Sequence, residues 1–217
     1  MTKEGHHLDP TDWDDFGRDM HDLLDTCLTR MQGARDLPWQ QKPADMGVEL
    51  DGAATPTADV FTQITDTVMP YATGNTHPAF FGWVHGTGLP VGVGAEIIAA
   101  TMNSNCGGRD HGAAEVEREV INWLTRTAGM PDDAFGILTT GTSQATILAL
   151  SAARARAFGM DVRTKGIRAL PEVRVYMANG AHSCVAKALE IMGHGSDCVR
   201  QIPVNDMSQM DMTALKD

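Results

Sequence analysis

Apolar residues recur at helical spacing over residues 11–32, where Phe16, Met20, Leu23, Leu24, Cys27, Leu28 and Met31 share one face and Gly33 supplies a stop. Thr11, with Asp14 in the first turn, is the expected N-cap. A second helix is expected from about Ala58 to Met69, with Val60, Phe61, Ile64 and Val68 on one face and Pro70 beyond it. Between the two, 34–57 carries Pro38, Pro43 and Pro56 without a period and reads as an extended arm or loop. Glycine and proline punctuate 73–94, which predicts loop around the apolar run Phe80–Val84. A short helix from Ala95 to Met102, a polar loop from Asn103 to His111 and a helix from Gly112 to about Ala128 follow, the last with Val116, Val120, Trp123 and Leu124 at helical spacing.

Beyond residue 130 the pattern changes. Phe135–Thr139 is a short apolar strand candidate, Thr140-Gly141-Thr142-Ser143 a tight turn, and Gln144–Phe158 an Ala- and Leu-rich helix stopped by Gly159. After a basic linker, Val173–Ala178 reads as a buried strand, His182-Ser183 as a turn, Cys184–Met192 as a helix and Cys198–Val204 as a third strand. Strands alternating with helices predict an α/β domain with a largely parallel sheet.

The 217 residues carry 17 Lys+Arg against 28 Asp+Glu, a formal net charge of −11, which excludes a nucleic acid or an anionic membrane surface as the main partner. With 42% hydrophobic and 21% charged residues the chain has a globular composition, not a disordered one. No apolar run reaches the roughly 18 residues of a membrane span, and the polar start, Met1 to Asp12, has no signal-peptide core. Cys27, Cys106, Cys184 and Cys198 show no metal-site spacing and read as free thiols of a cytoplasmic protein.

The turn before Gln144 has the make-up of a phosphate cradle. A helix start presents unpaired amides and a partial positive charge, Thr142 and Ser143 add hydroxyl donors, and Gly141 lets an anion approach the backbone. An ordinary N-cap would use the same residue types. No Gly-Lys-Ser/Thr follows, so it is not a P-loop. His182 directly follows a predicted strand, on the rim where parallel sheets gather ligands, and either stacks on a flat cofactor or bonds the local backbone. Gly86-Thr87-Gly88-Leu89-Pro90-Val91-Gly92 departs from a dinucleotide fingerprint in its third glycine and in Pro90. The eight histidines show no metal-ligand spacing, and Ser143 and Ser183 lie outside a nucleophile elbow.

Four ordered blocks resemble the pyridoxal-phosphate-dependent decarboxylases of the aromatic-L-amino-acid and glutamate decarboxylase group. Asn75-Thr76-His77-Pro78-Ala79-Phe80-Phe81 resembles an N-x-H-P-x-F-F block, and Glu115 to Leu124 an E-x-x-V-x-x-W-L helix. Gly136 to Thr146 resembles a G-x-x-T-S-G-G-S-x-A-N turn, with Thr142 for the second Gly and Thr146 for Asn, and Ala181 to Ala188 an A-H-x-S-x-x-K-A block. The resemblance implies the aspartate-aminotransferase-like (fold type I) large domain, truncated and preceded by N-terminal helices. Residues 1–72 would form a dimer-wrapping arm and 73–217 the first part of the cofactor-binding domain. It implies pyridoxal 5′-phosphate as cofactor, an amino-acid substrate and a homodimer. Gly141, Thr142 and Ser143 would hold the phosphate, His182 would stack on the ring, and His77, Phe81, Asn103 and Asn105 would line the substrate pocket. The Schiff-base lysine of the resembled family has no counterpart among Lys3, Lys42, Lys165, Lys187 and Lys216, so the expectation is an N-terminal portion of a carboxy-lyase, inactive alone. A transaminase-like enzyme, a carbon–sulfur lyase, or a non-catalytic half-domain that binds a partner subunit are the alternatives.

Overall fold

The computed structural model describes residues 9–47, 54–105, 107 and 110–216. The chain divides into two compact units, Met1–Asn105 and Cys106–Asp217. The expected boundary after residue 72 falls inside the first.

In the first unit, α1 spans Trp13–Gln32. Its cap is Asp12 rather than Thr11: the Asp12 carboxylate accepts the amides of Asp14 at 2.9 Å and Asp15 at 3.0 Å. The extended backbone of Asp12 aims its short side chain at the second and third amides of the helix, which is what a cap requires. Asp14 and Asp15 at the start and Arg30 at the end complement the helix dipole. Helix α2, Thr57–Thr67, ends earlier than its apolar period suggests, because the chain tightens into a 3-10 turn over Met69–Tyr71 around Pro70. The Arg30 guanidinium donates to the Met69 carbonyl at 2.9 Å and ties this turn to the end of α1.

Helix α3 spans Pro90–Met102 and begins well before the expected Ala95. Pro90 has its φ set for a first helical turn and needs no amide there, so Gly92 and Gly94 are carried inside the helix despite their poor propensity. Asn103 ends it in the left-handed region, φ 41°.

The second unit opens with α4, Gly112–Thr127, whose apolar stripe of Val116, Val120, Trp123 and Leu124 is exposed. The strand expected at Phe135–Thr139 does not form. The Leu138 amide is taken by the Glu117 carboxylate at 2.9 Å, and no described strand runs beside the segment. Apolar character makes a segment suitable for a strand, but only a paired backbone makes it one. Helix α5, Thr142–Phe158, starts two residues before the expected Gln144. The basic linker holds a short helix α6, Val162–Lys165, and a 3-10 turn, Ile167–Ala169. Gly193 closes over that turn: at φ 84°, an added Cβ would sit 2.7 Å from the Ile167 Cδ1.

The sheet has two parallel strands among the described residues, β1, Val175–Ala178, and β2, Val199–Ile202. The register runs from Val175 opposite Val199 to Ala178 opposite Ile202. Helix α7, Cys184–Ile191, makes the crossover. The expected third strand over Cys198–Val204 is thus trimmed, and Val204 instead forms an isolated antiparallel bridge with Met210. The buried core of this unit, among the described residues, is Val162, Cys184, Ala188, Leu189, Cys198 and Ile202, with α7 packed on α5. Among the described residues, no helix is long and apolar enough to cross a membrane.

Candidate active site

A polar turn stands at the entry to α5. Gly141 turns the chain at φ 151°, ψ 166°, a conformation that only glycine adopts without strain. The first amide to enter the helical ladder is that of Ala145, which donates to the Gly141 carbonyl at 3.1 Å. The amides of Thr142, Ser143 and Gln144 precede that bond, so they are free of the ladder and carry the positive end of the helix dipole. Thr142 and Ser143 are exposed, and their hydroxyls have no partner among the described residues. The Gln144 side chain holds the turn in shape. Its Oε1 accepts the Thr140 amide at 3.1 Å and the Thr140 hydroxyl at 2.8 Å, a reach-back like that of a capping box.

His182 stands after the end of β1. The Asn179 amide continues the ladder onto the Ile202 carbonyl at 2.7 Å, and Ala181 turns back onto the Ala178 carbonyl at 3.1 Å, which delivers an exposed His182 to the carboxyl rim of the two strands. Its Nδ1 accepts the Cys184 amide at 3.2 Å, so the neutral ring carries its proton on Nε2.

A run of short contacts joins these two features. The Thr146 hydroxyl donates to the Thr142 carbonyl at 2.8 Å, and the same oxygen meets the Cys184 Sγ at 3.7 Å. Cys184 in turn supplies the amide that holds His182. The starts of α5 and α7 therefore lie side by side, with Gly141, Thr142 and Ser143 at the entry to one and His182 just before the other.

The other four sequence-predicted residues belong to the first unit. His77 spends both ring nitrogens on backbone there: Nε2 donates to the Arg35 carbonyl at 2.9 Å and Nδ1 accepts the Ala79 amide at 3.0 Å. It thereby fixes the turn that presents Phe81, whose side chain is 95% exposed. Phe80, Trp83 and His85 stack beside it, with Trp83 and His85 centroids 5.5 Å apart. Asn103 forms the left-handed end of α3, and Asn105 follows it.

Sequence reasoning missed Gln144, Glu117 and the Thr146–Cys184 contact. Gln144 had a signal, the third helical position after Gly141. The contact had none, because its partners are far apart in sequence.

The pyridoxal-dependent decarboxylase conserved domain matches residues 38–217. An aromatic-L-amino-acid decarboxylase of Bacillus atrophaeus is 29% identical over 160 residues, covering 73% of this chain and 30% of the relative. Tryptophan decarboxylase 1 of Oryza sativa subsp. japonica is 24% identical over 92% of this chain and 42% of its own length. The crystal structure of mouse CSAD superposes with a TM-score of 0.81 at 20% identity, over 94% of this chain and 45% of that one. This chain therefore spans less than half the length of these relatives. It shares their fold, and it belongs to the pyridoxal-dependent decarboxylase family.

Proposed function

We propose that this chain supplies the cofactor-phosphate turn and the ring-stacking histidine of a pyridoxal 5′-phosphate-dependent amino-acid decarboxylase, a carboxy-lyase. The observation that carries the reading is the bonded run from Thr142 through Thr146 and Cys184 to His182, which links a helix start with free first-turn amides to an imidazole. The donor set fits a phosphate ester. Three first-turn amides, two hydroxyls and the helix dipole gather at a glycine turn, and among the described residues an added Cβ at Gly141 would meet nothing within 4 Å.

In this reading the amides of 142–144, with Thr142 and Ser143, hold the phosphate, and His182 covers one face of the ring. The bound cofactor supplies the electron sink that carbon dioxide loss from an amino acid requires. Phe81, Asn103 and Asn105 line the substrate pocket, and His77 positions the turn that carries Phe81. Residues 1–72 serve as the dimer-wrapping arm of a homodimer. The thiols of Cys27, Cys184 and Cys198 are unpaired, which suits a reducing cytoplasm.

Two measurements test the reading. Ser143→Ala removes a donor to a charged group, worth about 1.5–3 kcal/mol, and weakens cofactor binding about 10- to 150-fold in a spectroscopic titration. In the protein expressed from its complete gene, a panel of amino acids yields carbon dioxide from at least one, and His182→Ala depresses that turnover more than it depresses folding. Carbon dioxide from none of the panel, or an unchanged cofactor affinity in Ser143→Ala, overturns the proposal.

A further inference from the structure

The hydroxyl of Thr146 has one proton, and the 2.8 Å contact to the Thr142 carbonyl uses it. The 3.7 Å contact to the Cys184 sulfur then has one consistent polarity: the thiol donates and the Thr146 oxygen accepts. Cys184 is buried, and it is the first residue of α7. Its side chain thus meets Thr146, the fifth residue of α5, while its backbone amide holds the His182 ring. Both partners depart from the motifs they otherwise resemble, Thr146 standing for Asn and Cys184 for Ser.

The apolar packing of Ala188 and Leu189 presses α7 against α5, but such packing is non-directional and leaves the helices able to slide. The bridge at their starts is directional. A slide of α7 along α5 would carry His182 away from the first turn of α5 and break the bridge. We propose that the Thr146–Cys184 bridge is a positioning device that sets the distance between the phosphate turn and His182. The proposal rests on the cofactor reading above and assigns the bridge no contact with the ligand.

Two probes of the full chain separate positioning from simple support of the fold. Inorganic phosphate needs only the turn at 141–144, whereas pyridoxal 5′-phosphate needs the turn and the histidine at a fixed separation. Cys184→Val removes the donor, and it weakens pyridoxal 5′-phosphate binding about tenfold. Phosphate binding, followed by the amide shift of Ser143, stays within about twofold, and Cys184→Ser restores cofactor affinity. Thr146→Val, nearly isosteric and only half-buried, repeats the test if Cys184→Val fails to fold. Equal loss of both ligands with a lowered melting temperature, or no loss of either, overturns the bridge. If the unmodified chain binds the cofactor no better than Ser143→Ala does, it is the cofactor reading that falls instead.

Discussion

Gly141→Ala probes the turn through its backbone alone. At φ 151° and ψ 166°, position 141 lies where any residue with a Cβ is strained, at a cost of about 1–3 kcal/mol. Among the described residues the added methyl would meet no heavy atom within 4 Å, so the cost from them is torsional, not a packing clash. The strain has two outlets. If the turn keeps its shape, urea unfolding shows a stability loss of about 1–3 kcal/mol. If the turn relaxes, the amides of 142–144 swing away from a common point and cofactor affinity falls while stability recovers. Gly112→Ala is the control. It lies in the first turn of α4, has no positive φ and, among the described residues, no neighbour within 4 Å, so it is neutral or stabilising by up to about 1 kcal/mol. A Gly141→Ala protein with unchanged unfolding and unchanged cofactor binding would refute both the strain and the role of the turn.

Leu189→Ala empties a side chain that is 2% exposed between α7 and α5, and it costs about 2–5 kcal/mol in urea unfolding; a loss under about 0.5 kcal/mol would show that α7 does not form the core. The His194 imidazole sits below its usual value of 6.5, first because burial disfavours its charged form and second because Arg154 lies beside it, a guanidinium nitrogen 3.4 Å from Nε2. The unfolded chain then binds more protons between the two values, so stability is full above 6.5 and declines as pH falls toward the folded value. Arg154→Met raises the His194 value toward 6.5 in an NMR titration, and a value that stays or drops would remove Arg154 as a cause.

The helices were readable where the apolar period was clean. The stripe from Phe16 to Met31 gives α1 nearly to the residue, and Gly129 and Pro131 follow the end of α4 closely. The start of α3 was hidden because Pro90, Gly92 and Gly94 read as turn residues, and it takes the fixed φ of a first-turn proline to make them helical. Phe135–Thr139 shows the opposite limit. Its apolar residues state a preference for a strand, but pairing depends on what lies beside it. At the site, Gly141-Thr142-Ser143 was legible as local chemistry, since anion binding at a helix start uses neighbouring residues. Its alignment with His182 was foreseen only as a shared sheet rim. The contact that fixes it, Thr146 to Cys184, is tertiary and leaves no trace in either segment.

The most direct test is a residue-resolved one. In an amide NMR titration of the chain with pyridoxal 5′-phosphate, the backbone signals of Thr142, Ser143 and Gln144 move first and furthest, followed by those around His182. Ser143→Ala reduces the response across the whole set. Movement elsewhere with these amides unmoved would contradict the phosphate site at the start of α5.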